Sequence, residues 1–205
     1  MKKYFLGLTV FVLAFGIFLV SALKSSPAKI YANTVPTPVA APKIVVDYTM
    51  PYPGKTLPDN PLWSLKAIRD WTWYRFTGDP LKKAELALLF SDKRLISSKL
   101  LFESKKPDIA VSTLTKGEKY LEIAFNQEEI ARKKGKDTSE FVAKLANAAL
   151  KHRQVIEEEL LPISPEDAKP EIIKVEFYAK NTYKLCTEVL NSMGKVSPKD
   201  PFNGQ

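Results

Sequence analysis

The stretch Asp79–Phe102, DPLKKAELALLFSDKRLISSKLLF, sets Leu81, Leu88, Leu95 and Phe102 seven residues apart, with Ala84, Ser91 and Ser98 between them. A seven-residue repeat of large apolar side chains separated by small ones is the seam of one helix against another. Asp79 and Pro80 supply its start. A carboxylate just ahead of the first turn accepts from orphan amides, and proline at the first helical position has no N–H to leave unpaired. A helix is expected over about residues 80–104, with Leu88 buried in the middle of the seam.

Working outward, Asp59-Asn60-Pro61 repeats the same start signal ahead of Leu62, Trp63, Leu65, Ala67, Ile68, Trp71, Trp73, Tyr74 and Phe76. A helix from about Asn60 to Phe76 is therefore apolar almost all round, and such helices are usually wrapped by others. Three tryptophans also suit a lipid interface, but Arg69, Asp70 and Arg75 interrupt the surface and favour packing.

A third helix is expected from about Pro107 to Lys134. It carries Leu114, Leu121, Ala124 and Phe125 on one side, and Gly135 is its stop. Asp137 and Glu140 have capping-box spacing, with Thr138 or Ser139 as alternative caps, and open a fourth helix reaching Leu161 before Pro162. Phe141, Leu145, Ala148, His152, Val155 and Ile156 form its stripe. The fifth begins near Pro170 and ends at Met193 and Gly194. No window alternates like a sheet strand. The fold class is all-α: an elongated bundle of about five helices over residues 59–194, followed by a polar tail, 195–205, expected to be mobile.

At the other end, Met1-Lys2-Lys3 precede an uncharged apolar run, Tyr4–Leu23. As a helix it reaches about 30 Å, the thickness of a bilayer's hydrocarbon core. Residues 1–23 are read as a membrane anchor or signal segment. Retention is favoured, and cleavage near Ala22 or Ala32 is the alternative. Either outcome puts residue 33 onward outside the cytoplasm. Residues 24–58 are rich in proline and read as an extended spacer, within which Ile44-Val45-Val46 forms a short strand or docks on the bundle.

The net charge of +8 does not indicate nucleic acid as a partner, because Lys2, Lys3, Lys24 and Lys29 of the targeting region supply half of it. Cys186 is the only cysteine, so no intramolecular disulfide forms, and a small buried apolar residue is the expected role. His152 is the only histidine, which excludes any site needing two imidazoles. A partly buried, hydrogen-bonded histidine is expected. Glu118 and Glu122 share a helix face by their spacing of four, and Lys116 and Lys119 mark that face as solvated. Neither Glu128-Glu129 nor Glu157-Glu158-Glu159 forms a converging pair, since consecutive helical residues point apart. No catalytic, cofactor-binding or metal-binding residue is assigned, and the chain is not expected to be an enzyme.

Pro53-Gly54, Leu57-Pro58-Asp59, Pro61-Leu62-Trp63, Leu65-Lys66, Arg69, Asp79-Pro80, Lys83-Ala84-Glu85-Leu86 and Lys93-Arg94-Leu95 together form a recognisable pattern. A weaker continuation, Gly117–Leu121, reaches about Ala124. Over about residues 53–124 the chain resembles the domain-of-unknown-function family 5667 of envelope-facing bacterial proteins. The resemblance implies a helical extracytoplasmic module and carries no catalytic residue, ligand or cofactor with it. The expectation is a membrane-tethered module that binds an envelope protein or serves as a structural part. A secreted ligand sensor and a hydrolase of envelope polymers, the latter needing carboxylates that converge across helices, are the alternatives.

Overall fold

The computed structural model describes residues 45–202, which form five α-helices: α1 Trp63–Phe76, α2 Pro80–Glu103, α3 Pro107–Lys133, α4 Ser139–Val155 and α5 Lys169–Ser192. The anchor read over residues 1–23, the first part of the spacer and residues 203–205 lie outside the described residues. Among the described residues no helix is long and apolar enough to cross a membrane.

The start and stop signals act as chemistry dictates. Asp79 Oδ1 accepts from the Leu81 N–H at 2.9 Å, with Pro80 in the first turn of α2. Asn60 Oδ1 accepts from the Leu62 N–H at 2.9 Å, but this closes a turn, and α1 begins three residues later than expected. Gly135 and Gly194 adopt φ of 78° and 67°, the left-handed conformation that lets the next amide reach back. Lys136 N–H then meets Ala131 O at 3.2 Å, and Lys195 N–H meets Leu190 O at 2.9 Å. The fourth helix departs from one continuous α-helix. A π-helical turn, Ile156–Leu160, follows α4 and leads into a single α-turn, Leu161–Ile163. Pro162 explains it. Its ring would collide with the carbonyl four residues earlier, and widening the preceding turn relieves that contact.

Helices α2 to α5 run up, down, up and down, because their buried residues are shared between two apolar clusters in alternating order. One cluster joins Ala84, Leu88, Leu121, Phe125, Leu145 and Cys186, and the other joins Leu95, Phe102, Leu114, Val155, Ile172 and Val175. The expected seam is present: Leu88, Leu95 and Phe102 are buried with Ala84, Ser91 and Ser98, and Leu81 is partly buried. Ser91 Oγ donates to Gly117 O and Ser98 Oγ to Ala110 O, each at 2.8 Å, stitching α2 to α3. Gly117 permits that approach. A Cβ there would stand 3.0 Å from Arg94 Cβ and 3.4 Å from Ser91 O.

Three expectations are corrected. Helix α1 is not wrapped by others: Asp70 is its one buried residue, while Leu65, Ile68, Trp71 and Phe76 are 66%, 60%, 64% and 80% exposed. Residues 45–58 do not stand off as spacer. Val46 is buried and Tyr48 packs against the bundle, which is the docked alternative for that segment. Residues 195–202 do not hang free, because the ring of Phe202 is buried beside Val46 and Leu150 and the Arg153 guanidinium lies 4.2 Å from its centre. Tyr183 adds a hydrogen bond to Pro198 O at 2.7 Å. One aromatic anchor outweighs the polar composition around it.

Candidate functional site

Between the two apolar clusters each bundle helix contributes a polar side chain, and three of these meet. His152 of α4 is fully buried. Its Nδ1 lies 2.6 Å from Glu118 Oε1 on α3, and its Nε2 lies 3.0 Å from Asp92 Oδ1 on α2. The Tyr48 hydroxyl donates to Asp92 Oδ2 at 2.7 Å, tying the N-terminal segment to the same centre. Glu176 of α5 occupies the same level and pairs with Lys180 at 2.7 Å. Burial, with Glu157 beside it, holds the Glu176 carboxyl above the ordinary range.

The positions follow from the spacing of the core. Asp92 lies four residues after Leu88 and three before Leu95, and Glu118 lies four after Leu114 and three before Leu121. His152 follows Ala148 by four and precedes Val155 by three. All three therefore point inward. This overturns the solvated reading of Glu118, which is fully buried, while Glu122 on the edge of the stripe is exposed. The two glutamates do not form a site. Asp92 and Tyr48 were missed, and the signal available for Asp92 was its place within the heptad seam.

Burial alone would pull the His152 pKa down, because an apolar surround disfavours the charged ring. The charges of Glu118 and Asp92 and their hydrogen bonds outweigh it and raise the value to about 9. That direction favours a ring carrying a proton on each nitrogen, each facing a carboxyl oxygen. Burial, then the charge and hydrogen bond of Asp92, drive the Tyr48 pKa far upward, so that its hydroxyl stays a donor. A cavity of about 580 Å³ lies outside this centre, lined by Asp47, Tyr48, Glu85, Asp92, Glu140 and Lys144. Tyr48 and Asp92 reach it, whereas His152 and Glu118 do not line it. With both ring nitrogens engaged, His152 has no lone pair to offer a metal or a substrate proton. Among the described residues no group of three or more His, Cys, Asp or Glu is placed to hold a metal ion. Cys186 is buried within the first apolar cluster, and burial followed by the charge of Glu128 pushes its thiol up. This is the small apolar role expected of it.

The other polar centre of note surrounds α1. Arg69 pairs with the buried Asp70 at 2.6 Å, and Lys93 and Arg94 of α2 also feel that carboxylate. Lys66 donates to Pro53 O at 2.7 Å and lies 4.6 Å over the Trp63 ring. Burial first, then Lys93, Arg69 and Arg94 against the attraction of Asp70, lower its pKa to about 8.

Fold and polar centre together define a helical bundle module with a His–carboxylate cluster buried in its interior. The chain belongs to the family described as a domain of unknown function, DUF5667, whose pattern matches residues 55–166, more than half of the chain. The match extends beyond the segment of resemblance to take in α4 and its π-helical end. Asp92, Glu118 and His152 fall within it, and Tyr48 and α5 fall outside. No curated protein and no solved structure matches the chain.

Proposed function

We propose that this chain is a membrane-tethered module, held outside the cytoplasm of a bacterial cell by its N-terminal segment, that works by contact and not by turnover. The observation that carries the reading is the outward face of α1. Leu65, Ile68, Trp71 and Phe76 stand in water on a helix whose only buried residue is an aspartate. Several large apolar side chains exposed on one half of a helix, on an otherwise well-packed domain, mark a surface that is covered in use. The burial of His152 supports the same reading, since both its ring nitrogens are engaged and it does not line the cavity that Tyr48 and Asp92 reach. Tyr4–Leu23 supplies the tether and Lys2-Lys3 its cytoplasmic flank.

Two measurements in cells test the proposal. The chain should fractionate with membranes, and protease added outside spheroplasts should digest residues 45–202. A photoreactive residue at Ile68 or Phe76 should give adducts with an envelope component. Protection from external protease would overturn the location. Breakdown of envelope polymers by the purified chain, lost on Asp92→Asn or Glu85→Gln beside the cavity, would overturn contact as the mode of action.

A further inference from the structure

We propose that the outward face of α1 rests on the surface of the bilayer that anchors the chain, with its apolar side chains at the level of the acyl boundary and Arg75 against anionic headgroups. The inference rests on the tethered reading and names what the exposed face contacts. Leu65, Ile68, Trp71 and Phe76 share the outward half of the helix by their spacing, and Trp73 at its edge is 47% exposed. Indole rings prefer the interface, where the ring is half in hydrocarbon and the N–H is hydrated.

The charges match that surface. Arg75 follows Trp71 by four residues and is exposed, so a cation stands beside the apolar side chains one turn along, while Arg69 is turned to Asp70. Asp70, the one acidic residue of α1, is buried on the opposite side and already engaged by Arg69. Lys66, Lys93 and Arg94 stand on the inner side of α1 around the same carboxylate, so Arg75 is the cation left on the outward side. A basic residue next to an anionic lipid surface is attracted to it.

The length of chain outside the described residues sets the reach. Twenty-one residues, 24–44, separate the apolar run from the start of the described structure at Val45. Fully extended they span at most about 75 Å. The domain is thus confined near the bilayer, where the local concentration of lipid surface is high and a weak amphipathic contact is populated. A second copy of the chain, or a protein partner, would need a complementary apolar face of its own to compete.

The chain has three tryptophans, Trp63, Trp71 and Trp73, and all lie on α1, so intrinsic emission reports on this helix without a label. The experiment reconstitutes the full chain in vesicles of phosphatidylglycerol and phosphatidylcholine whose acyl chains carry bromine, and compares emission with unbrominated vesicles. Strong quenching and a blue shift are expected, weaker in phosphatidylcholine alone, with Trp71→Phe removing the largest quenchable share. Ile68→Ser with Leu65→Ser should abolish quenching while the chain still floats with the vesicles. If the chain floats but its emission is unquenched, the tether stands and the lipid contact is overturned. If Trp71 is shielded without quenching and Ile68→Cys cross-links copies to each other, a second copy covers the face and the proposal fails. If the chain does not float, both the tether and this inference fall.

Discussion

Helix α1 and the centre of the bundle place their polarity in opposite senses. Helix α1 turns Leu65, Ile68, Trp71 and Phe76 to solvent and buries Asp70, while α2, α3 and α4 bury Asp92, Glu118 and His152 between layers of leucine. The difference lies in partners. Glu118 and Asp92 are buried because His152 stands between them with a hydrogen bond to each, and Tyr48 satisfies a further oxygen. The apolar residues of α1 are exposed because, among the described residues, no helix is placed to cover them. Burial follows from what a side chain finds opposite it, and hydrophobicity is only one part of that.

The largest expected effect comes from breaking the centre on one side. Glu118→Ala strands a buried imidazolium with one carboxylate and is expected to destabilise by about 3 to 5 kcal/mol in denaturant melts. Replacing Asp92, Glu118 and His152 together by Leu, Met and Leu should recover most of that loss, since it removes the charges along with the partners. Leu88→Ala, in the apolar layer next to them, should lose about 2 to 5 kcal/mol through the cavity it leaves.

Next in size is the effect of pH. Burial lowers the folded pKa of His152, but Glu118 and Asp92 outweigh it and raise the value to about 9 from the ordinary 6.5. A raised pKa contributes stability that is complete below the unfolded value and lost as pH climbs through the folded one. Stability should therefore fall on the order of 3 kcal/mol between about pH 6.5 and pH 9. The His152 part of that fall should be absent in His152→Leu, leaving the opposite trend above about pH 8 from Lys66, whose folded pKa is lowered to about 8.

Smaller effects sharpen the contrast. Tyr48→Phe removes one hydrogen bond to a carboxylate and should be destabilising by about 1 to 3 kcal/mol. Ile68→Ser on α1, by contrast, should stay within about 0.5 kcal/mol of the parent in solution, because no packed neighbour is lost. A large loss there would mean that the face of α1 is buried in solution after all.

Much of the bundle was legible. The heptad seam, the proline starts of α2, α3 and α5 and the stops at Gly135 and Gly194 all follow from local chemistry that tertiary contacts reinforce. What was missed depends on contacts between residues far apart in the chain. Glu118 sits amid lysines at Lys116 and Lys119, which reads as solvated until the spacing from Leu114 to Leu121 is given equal weight. Its partner His152 is 34 residues away. Tyr48 lies within a proline-rich run that reads as spacer, and its hydrogen-bond partner is 44 residues along. Phe202 belongs to a polar tail and is held by Val46 and Leu150. For α1 the pattern correctly showed apolar residues all round, but pattern does not say what covers them.

Because His152 is the only histidine, one imidazole signal in a nitrogen or carbon NMR titration reads the centre without ambiguity. The ring is expected to be protonated on both nitrogens through neutral pH and to lose its proton only near pH 9. Titration at or below about pH 6.5, or a neutral single tautomer at pH 7, would contradict the claim that a paired charge lies at the core of this bundle.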